Sequence, residues 1–355
     1  MITRRRFLQD SMLATAGLSI LPATGAFAEP AQPDAYLSFD LHTHPGAFFN
    51  KGRPEYAGDA AAVKTVTNMR DGRLTGAFFS LVADAALIEL TPTGVVTHGE
   101  YAAGEAAREY ERQLATVAAF MKTVPAFQAT KTSDLLRAQR EGKVAAYLAC
   151  EGGDFLDGKP ERVDRLYADG VRSLQLVHYV PSALGDLQTH APQHGGLSPF
   201  GKAVVKRMNA TRMLIDVAHA SFETVRDVVS LTSAPIILSH SILKMEESRL
   251  LAARAISKEH ALLVAKTGGV IGLWPSGFNA SFAEFVDNTK RLIDVVGIDH
   301  VGLGTDMDGN LKPVFTSYTQ LGDWASDLQA HGLTRAEAAK VLGGNVQRVL
   351  GQVIG

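Results

Sequence analysis

Eight short, almost uninterrupted apolar segments recur along this chain, and their recurrence restricts the possible folds more than any other feature. They read AYLSFDLHTH, GAFFSLVA, VAAYLACE, RSLQLVHY, RMLIDVAH, PIILSH, GVIGLW and HVGLGTD. Such runs are typical of strands that are buried on both faces of a parallel sheet. Segments with helical periodicity lie between most of them. The pattern therefore predicts an α/β protein built as a single (β/α)8 TIM barrel.

The predicted helices carry recognisable start signals. Four of them open on a serine, whose hydroxyl can accept a hydrogen bond from a free backbone N–H of the first turn. The serines expected as N-caps are Ser198, Ser221, Ser257 and Ser281. After the eighth strand, Thr334 and Glu337 have the spacing of a capping box. No low-complexity linker interrupts the alternation, so we expect one folded domain.

Charge and composition narrow the class of ligand. With 46% hydrophobic and 20% charged residues in 355, the chain has the composition of an ordinary globular protein. Its formal net charge is −2 and both signs are interspersed, so we predict no nucleic-acid partner and expect a small molecule as substrate. The single cysteine, Cys150, excludes an intrachain disulfide. Stability must therefore come from packing.

Residues 1–28 have the pattern of a twin-arginine signal peptide. In TRRRFLQD, Arg4 and Arg5 precede a mildly apolar stretch that ends in the small-residue site AFA. We predict cleavage after Ala28, export by the twin-arginine machinery to the periplasm or the medium, and a mature domain of residues 29–355. The alternative is an uncleaved anchor. Because glycines and a proline interrupt a stretch already short for a span of roughly 20 apolar residues, we expect no stable membrane anchor.

Most of the predicted strands end on a side chain that can bind a metal or transfer a proton. In a (β/α)8 barrel these ends meet at one rim, where the active sites of this fold form. His42 and His44 are two positions apart, so they point to the same side of the first strand. Isolated imidazoles and carboxylates are costly to bury, and core packing does not explain the whole set. Its members are His42, His44, Glu151, His178, His219, His240 and Asp306.

The types of these side chains indicate a metal. Nitrogen and carboxylate ligands without cysteine suit zinc or a similar divalent ion, and two ions can share one carboxylate. We predict two Zn²⁺ ions per chain with Glu151 as the bridge, one bound by His42 and His44 and the other by His219 and His240. Such a pair lowers the pKa of a water between the ions and polarises a carbonyl group, so the predicted chemistry is hydrolysis.

Several motifs in a fixed order connect these positions to a known family. They are CEGGDF, LVHY, LSPFGKAVVKRMN, MLIDVAHAS, APIILSHS, GGVIGL, GIDHVGLGTDMDG and VLGGNVQRVL. From about Phe39 to Leu350 the chain resembles the membrane dipeptidases, also called renal-type dipeptidases, a family of zinc hydrolases allied to the amidohydrolases. The resemblance implies a TIM barrel of the metal-dependent hydrolase type, and it implies the same two sets of metal ligands.

The resemblance also implies roles for three further residues. His178 corresponds to the histidine that donates a hydrogen bond to the substrate carbonyl oxygen as it becomes an oxyanion. Asp306 corresponds to the acid that takes the proton of the attacking water and passes it to the leaving amine. Arg254 is the candidate for binding the terminal carboxylate of the substrate, a bidentate task suited to a guanidinium group.

The chain departs from the family pattern at two positions. The family commonly has aspartate where this chain has His44, and a neutral imidazole in that place raises the net charge of the site by one unit. We expect a more acidic bridging water but weaker affinity for a hard cation. The family usually has asparagine after the arginine, where this chain has Ala255. The loop around Arg254 is therefore expected to differ in shape.

The leading hypothesis is an exported binuclear zinc dipeptidase that tolerates a D-residue at the C-terminal position of its substrate. A second is a hydrolase of N-acyl amino acids, lactones or a peptide-derived metabolite, motivated by His44. A third is a periplasmic metal-binding or maturation protein without turnover, which would need neither His178 nor Asp306. A homodimer is left open. The segment after the second strand, ADAALIELTPTGVVTHGEY, is a loop or a hairpin near the mouth that lines either a pocket or an interface.

Overall fold

The computed structural model describes residues 36–355, and eight parallel strands of this part close into a barrel. The strands, in chain order, are β1 Phe39–Thr43, β2 Gly76–Val82, β3 Ile88–Thr91, β4 Gly94–Thr97, β5 Ala126–Ala129, β6 Val144–Glu151, β7 Val171–Gln175, β8 Leu214–Asp216, β9 Ile237–Ser241, β10 Val270–Leu273 and β11 Val301–Leu303. The helices are α1 Asp59–Asp71, α2 Glu105–Phe120, α3 Ser133–Glu141, α4 Arg162–Ala168, α5 Pro199–Thr211, α6 Phe222–Leu231, α7 Lys258–Lys266, α8 Phe282–Val296, α9 Leu321–Ala330, α10 Arg335–Ala339 and α11 Asn345–Val353.

The order of strands around the barrel is β1, β2, β6, β7, β8, β9, β10, β11, with every pair parallel. The pairing of Asp40 with Leu303 joins β11 to β1 and closes the ring. These eight strands are the eight that the apolar segments predict, so the (β/α)8 barrel is confirmed. Three strands lie outside the ring: β5 pairs with the first half of β6, and β3 and β4 form a separate antiparallel hairpin.

Apolar side chains fill the amino-terminal half of the barrel. The rings of Phe39, Phe78 and Tyr147 lie 5.3 to 6.0 Å apart and contact one another across β1, β2 and β6. Val346 and Leu350 of the last helix belong to the same buried cluster. Because this half is filled and covered, the polar side chains of the strands collect at the opposite, carboxyl-terminal end.

The predicted helix caps are confirmed. Each of the four serines accepts a hydrogen bond from a backbone N–H three residues later, at the start of α5, α6, α7 and α8. Thr334 and Glu337 form the predicted capping box at α10. The helix starts predicted from the local sequence are therefore the helix starts of the barrel. Such consistency between local preferences and the overall fold is expected of natural sequences.

The signal-peptide prediction, residues 1–28, lies outside the described residues. The predicted boundary between residues 28 and 29 also stays a prediction. Within residues 36–355, no helix is both long enough and apolar enough to cross a bilayer.

Candidate active site

The predicted site residues gather at the carboxyl-terminal rim of the barrel, but several strands end earlier than expected. We predicted strands ending on His178, His219 and Asp306, whereas β7, β8 and β11 each end three residues before those positions. After β8 and β11 the reason is a turn of the backbone out of the β region. His219 has φ +65° and Asp306 has φ +53°, values that non-glycine residues adopt rarely and that concentrate at functional sites.

The five predicted metal ligands form two overlapping groups around one carboxylate. The Nε2 atoms of His42 and His44 lie 3.1 and 3.3 Å from the two oxygens of Glu151. On the other side, the Nε2 atoms of His219 and His240 lie 3.4 and 3.7 Å from Glu151 Oε1. All five side chains are buried. The two groups match the two sets predicted from the sequence, and each places three donor atoms close enough to bind one ion.

The outer nitrogens of three of these imidazoles have protein partners that leave Nε2 facing the carboxylate. His44 donates from Nδ1 to the carbonyl oxygen of Ser80 at 2.8 Å, so in the neutral ring Nε2 carries the lone pair. Nδ1 of His42 lies 3.2 Å from the Ser80 hydroxyl, and Nδ1 of His240 lies 3.0 Å from the Ser239 hydroxyl. Partners of this kind orient histidine ligands in metal sites. The donor set therefore fits divalent cations such as zinc.

Electrostatics also favour cations at this place. Burial would raise the pKa of Glu151, but the surrounding imidazoles, His178 and His42 foremost, hold it well below its usual range. Burial would lower the pKa of His44, but hydrogen bonds and charge from Asp306 and Glu151 raise it to about 10. The carboxylates thus attract positive charge. Burial keeps the pKa of His219 well below its ordinary value, which favours the neutral form that a ligand needs.

His178 is held by an aspartate that the sequence analysis missed. Its Nδ1 lies 2.6 Å from Oδ1 of Asp84, and its Nε2 points toward Glu151, 3.3 Å from Oε1. The second oxygen of Asp84 accepts the backbone N–H groups of Tyr179 and Val180. Asp84 is fully buried, so its carboxylate fixes both the ring of His178 and the loop that carries it. An acid directly after the second predicted strand, GAFFSLVA, was the signal available in the sequence.

Asp306 lies against the first group of ligands. Its Oδ1 is 3.3 Å from Nε2 of His44, and its side chain is more exposed than that of Glu151. Gly309 makes this approach possible, because a Cβ there would lie 2.6 Å from His44 and 2.7 Å from the Asp306 carboxylate. Asp306 can therefore accept a proton from a group bound beside Glu151.

Arg254 is buried beside the site, next to the rings of Tyr179 and Trp274, with an incomplete set of hydrogen-bond partners. It is 1% exposed, and its Nη1 donates to Gln188 at 2.6 Å, while Nε and Nη2 have no hydrogen-bond partner within the described residues. Its guanidinium lies 5.5 Å from the ring of Trp274, whose buried indole N–H is also unpartnered. Buried donors without acceptors are rare and costly, so this corner suits an anionic ligand. Trp274, the last residue of the seventh predicted strand, was not singled out from the sequence.

A cavity of about 730 Å³ opens over these groups. His44, Glu151, His178, His219 and Asp306 line it, and so does Trp274, whose ring lies 5.5 Å from the Arg254 guanidinium. The segment after the second strand, predicted to be a loop or a hairpin, contains the β3–β4 hairpin. Residues of this hairpin line the cavity. The volume is in the range of small-molecule sites.

Comparison with known proteins decides the family. The family model described as membrane dipeptidase (peptidase family M19) matches residues 35–354, which is nearly the whole part of the chain that the structure describes. The chain belongs to the membrane dipeptidase family. It is therefore a peptide hydrolase, and the family's metallopeptidase character agrees with the His and Glu groups described above.

Individual relatives agree with this assignment. A dipeptidase of Aspergillus oryzae, aclJ, is 29% identical over 300 residues, covering 80% of this chain and 68% of the relative. A metallopeptidase of Rhodobacter sphaeroides, solved with a phosphinate mimic of the dipeptide L-Ala-D-Ala, has a TM-score of 0.78 at 18% identity, with 90% of this chain and 100% of that chain covered. The probable dipeptidase PvdM of Pseudomonas aeruginosa has a TM-score of 0.74 at 23% identity, covering 90% and 95%. The structural likenesses show that this membrane dipeptidase family member shares their fold.

Proposed function

We propose that this chain is an exported dipeptidase that works with two zinc ions, and that it accepts a D-residue at the carboxyl end of its substrate. One observation carries the proposal: two pairs of imidazoles converge on the single carboxylate of Glu151, which lines a cavity of about 730 Å³. His42 and His44 would hold one ion and His219 and His240 the other. When bound, the ions would acidify a water and polarise the peptide carbonyl.

Two residues of the chain would handle charge and protons during hydrolysis. His178 would donate from Nε2 to the carbonyl oxygen as negative charge develops on it, since this ring faces the cavity beside Glu151. Asp306 would accept the proton of the attacking water and return it to the amine that leaves. Its position 3.3 Å from His44, on the cavity wall, supports this role.

The unpartnered donors of Arg254 and Trp274 would bind the free carboxylate of a dipeptide. A carboxylate there would satisfy buried N–H groups that otherwise lack acceptors, which favours substrates with a free C-terminus. The Rhodobacter sphaeroides relative was solved with a mimic of L-Ala-D-Ala. That complex supports the proposed tolerance of a D-residue at this end.

Metal removal gives the direct test of the proposal. The zinc-loaded protein is expected to hydrolyse L,L- and L,D-dipeptides, to lose this activity on treatment with a chelator, and to regain it with added zinc. N-acetylated and C-amidated forms of the same dipeptides serve as controls. Absence of metal-dependent cleavage of every dipeptide would contradict the proposed function. Preferred cleavage of acylated substrates or lactones would favour the alternative hydrolase motivated by His44.

Asp84→Asn is expected to slow catalysis without emptying the metal site. Burial would lower the pKa of His178, but the charge of Asp84 raises it and so stabilises the doubly protonated ring, which donates from Nδ1 to Asp84 and from Nε2 to the oxyanion. The neutral amide removes that charge, so kcat should fall by about 10²-fold or more. Zinc content should stay at the wild-type value because Asp84 belongs to neither ligand group. Steady-state kinetics and elemental analysis of the same preparation measure both. A variant with unchanged kcat would show that the contact between Asp84 and His178 does not matter for turnover.

Export by the twin-arginine route is a separate part of the proposal. Arg4 and Arg5 ahead of an apolar stretch support it. Cell fractionation of the full chain and of a variant with both arginines replaced by lysine tests it, and equal export of the two would contradict it.

A further inference from the structure

The β3–β4 hairpin has one apolar face and one mainly polar face. Ile88 pairs with Thr97 and Leu90 pairs with Val95, so these side chains project to the same side of the two-stranded sheet. Glu89 pairs with Val96 and projects to the other side. The hairpin is anchored at its base by a hydrogen bond of 2.7 Å from the backbone N–H of His98 to the carbonyl oxygen of Leu87.

The apolar face lines the cavity that contains the candidate active site. Ile88, Leu90 and Val95 line the same cavity as His44 and Glu151. Leu90 nevertheless has 53% of its surface exposed, which is the largest value among the exposed large apolar residues within residues 36–355. An apolar ligand group that covers this surface would remove it from water, which is energetically favourable.

The topology places this face opposite the candidate carboxylate site. The hairpin follows β2, and Arg254 follows β9. Around the closed ring, β9 is the fourth strand from β2 in either direction, so the two segments lie on opposite sides of the mouth. A peptide with its carboxylate at Arg254 and its scissile carbonyl beside Glu151 would therefore extend its amino-terminal residue toward the hairpin.

We propose that the hairpin face formed by Ile88, Leu90 and Val95 is a subsite for a large apolar side chain on the residue that precedes the scissile bond. The inference rests on the proposed dipeptidase function. It adds the substrate class: peptides that begin with a residue such as leucine are preferred over peptides that begin with glycine. Further apolar lining from Phe49 and Leu311 agrees with this class.

The hairpin offers a matched pair of variants. Leu90 and Val96 are both exposed apolar residues, at 53% and 45%, but Leu90 lines the cavity and Val96 does not. Leu90→Asn and Val96→Asn are compared for kcat/KM on Leu-Ala and Gly-Ala, with melting temperature as the check on folding. Wild type and Val96→Asn should prefer Leu-Ala. In Leu90→Asn, kcat/KM for Leu-Ala should fall by about tenfold, the scale of a lost contact in an apolar pocket, while Gly-Ala turnover stays unchanged.

Affinity for uncleavable analogues separates this inference from the proposed function. Phosphinate analogues of Leu-Ala and Gly-Ala are titrated into the zinc-loaded wild type and both variants. The wild type should bind the Leu-Ala analogue more tightly, and only Leu90→Asn should lose the difference, even if no dipeptide is cleaved. Equal affinities in the wild type, or equal losses in the two variants, would overturn the subsite. Failure of cleavage with the affinity difference intact would overturn the dipeptidase function alone.

Discussion

Replacement of Glu151 by glutamine is expected to disrupt both metal positions at once. Both predicted ligand groups include this carboxylate, and the glutamine amide keeps its shape but removes its charge. Losing both ions would remove the activated water and the polarising charge together, each worth several kcal/mol. We therefore expect kcat/KM on the best dipeptide to fall by at least about 10⁴-fold.

Activity alone would not distinguish loss of metal from misfolding, so the variant needs two further measurements. Elemental analysis should give two zinc ions per wild-type chain and fewer than one in Glu151→Gln. Zinc at about 100 times its Kd should stabilise the wild type against unfolding by about 2.7 kcal/mol for each occupied site, and the variant much less. Glu55→Gln, which changes a glutamate that lines the cavity outside both ligand groups, is the control. Two equivalents of zinc in Glu151→Gln would contradict the bridging role.

Asp306→Asn is expected to cause the second largest loss of activity. The loss comes from proton transfer and not from loss of metal. Removing a positioned proton acceptor typically costs 10²- to 10⁴-fold, and we expect a fall of this order in kcat. Both ligand groups remain intact, so zinc content should not change. Asparagine is the appropriate replacement because Asp306 has φ +53°, a conformation that asparagine tolerates better than most residues. Stopped-flow or steady-state assays beside elemental analysis measure the two quantities.

The same loop supplies a control for this variant. Asp308 also lines the cavity and also has a positive φ, of 66°, but its carboxylate accepts hydrogen bonds from Gly46 N and Thr65 Oγ1. The oxygen of an asparagine can accept the same bonds. Asp308→Asn should therefore keep most of its activity. Similar losses in the two variants would show that the loop, and not proton transfer by Asp306, limits the rate.

The barrel could be predicted because its strands have strong local signals. Each of the eight barrel strands lies within one of the mainly apolar segments of the sequence, and serines mark the starts of four helices. β5 was not predicted because its sequence, AFQA, carries a polar residue and, unlike β8, does not lie within a longer apolar segment. The sequence does not distinguish a loop from a hairpin for β3 and β4, because each strand is only four residues long. The stability of an isolated two-stranded hairpin depends on its surroundings more than on its own sequence.

The metal ligands were predictable for a topological reason. Parallel strands bring their carboxyl ends to one rim, so residues far apart in sequence converge once the barrel is assumed. Contacts that depend on side-chain geometry were not predictable in the same way. Asp84 and His178 are 94 positions apart, and no spacing rule connects them. The unpartnered indole of Trp274 likewise becomes visible only when its neighbours are in place.

We expect the carboxylate of Glu151 to hold two cations between two pairs of imidazoles. Anomalous diffraction at the zinc edge, from crystals of the zinc-loaded protein, tests it most directly. We predict two strong peaks on either side of Glu151, one beside His42 and His44 and the other beside His219 and His240. A single peak, or zinc bound without contact to Glu151, would contradict the claim.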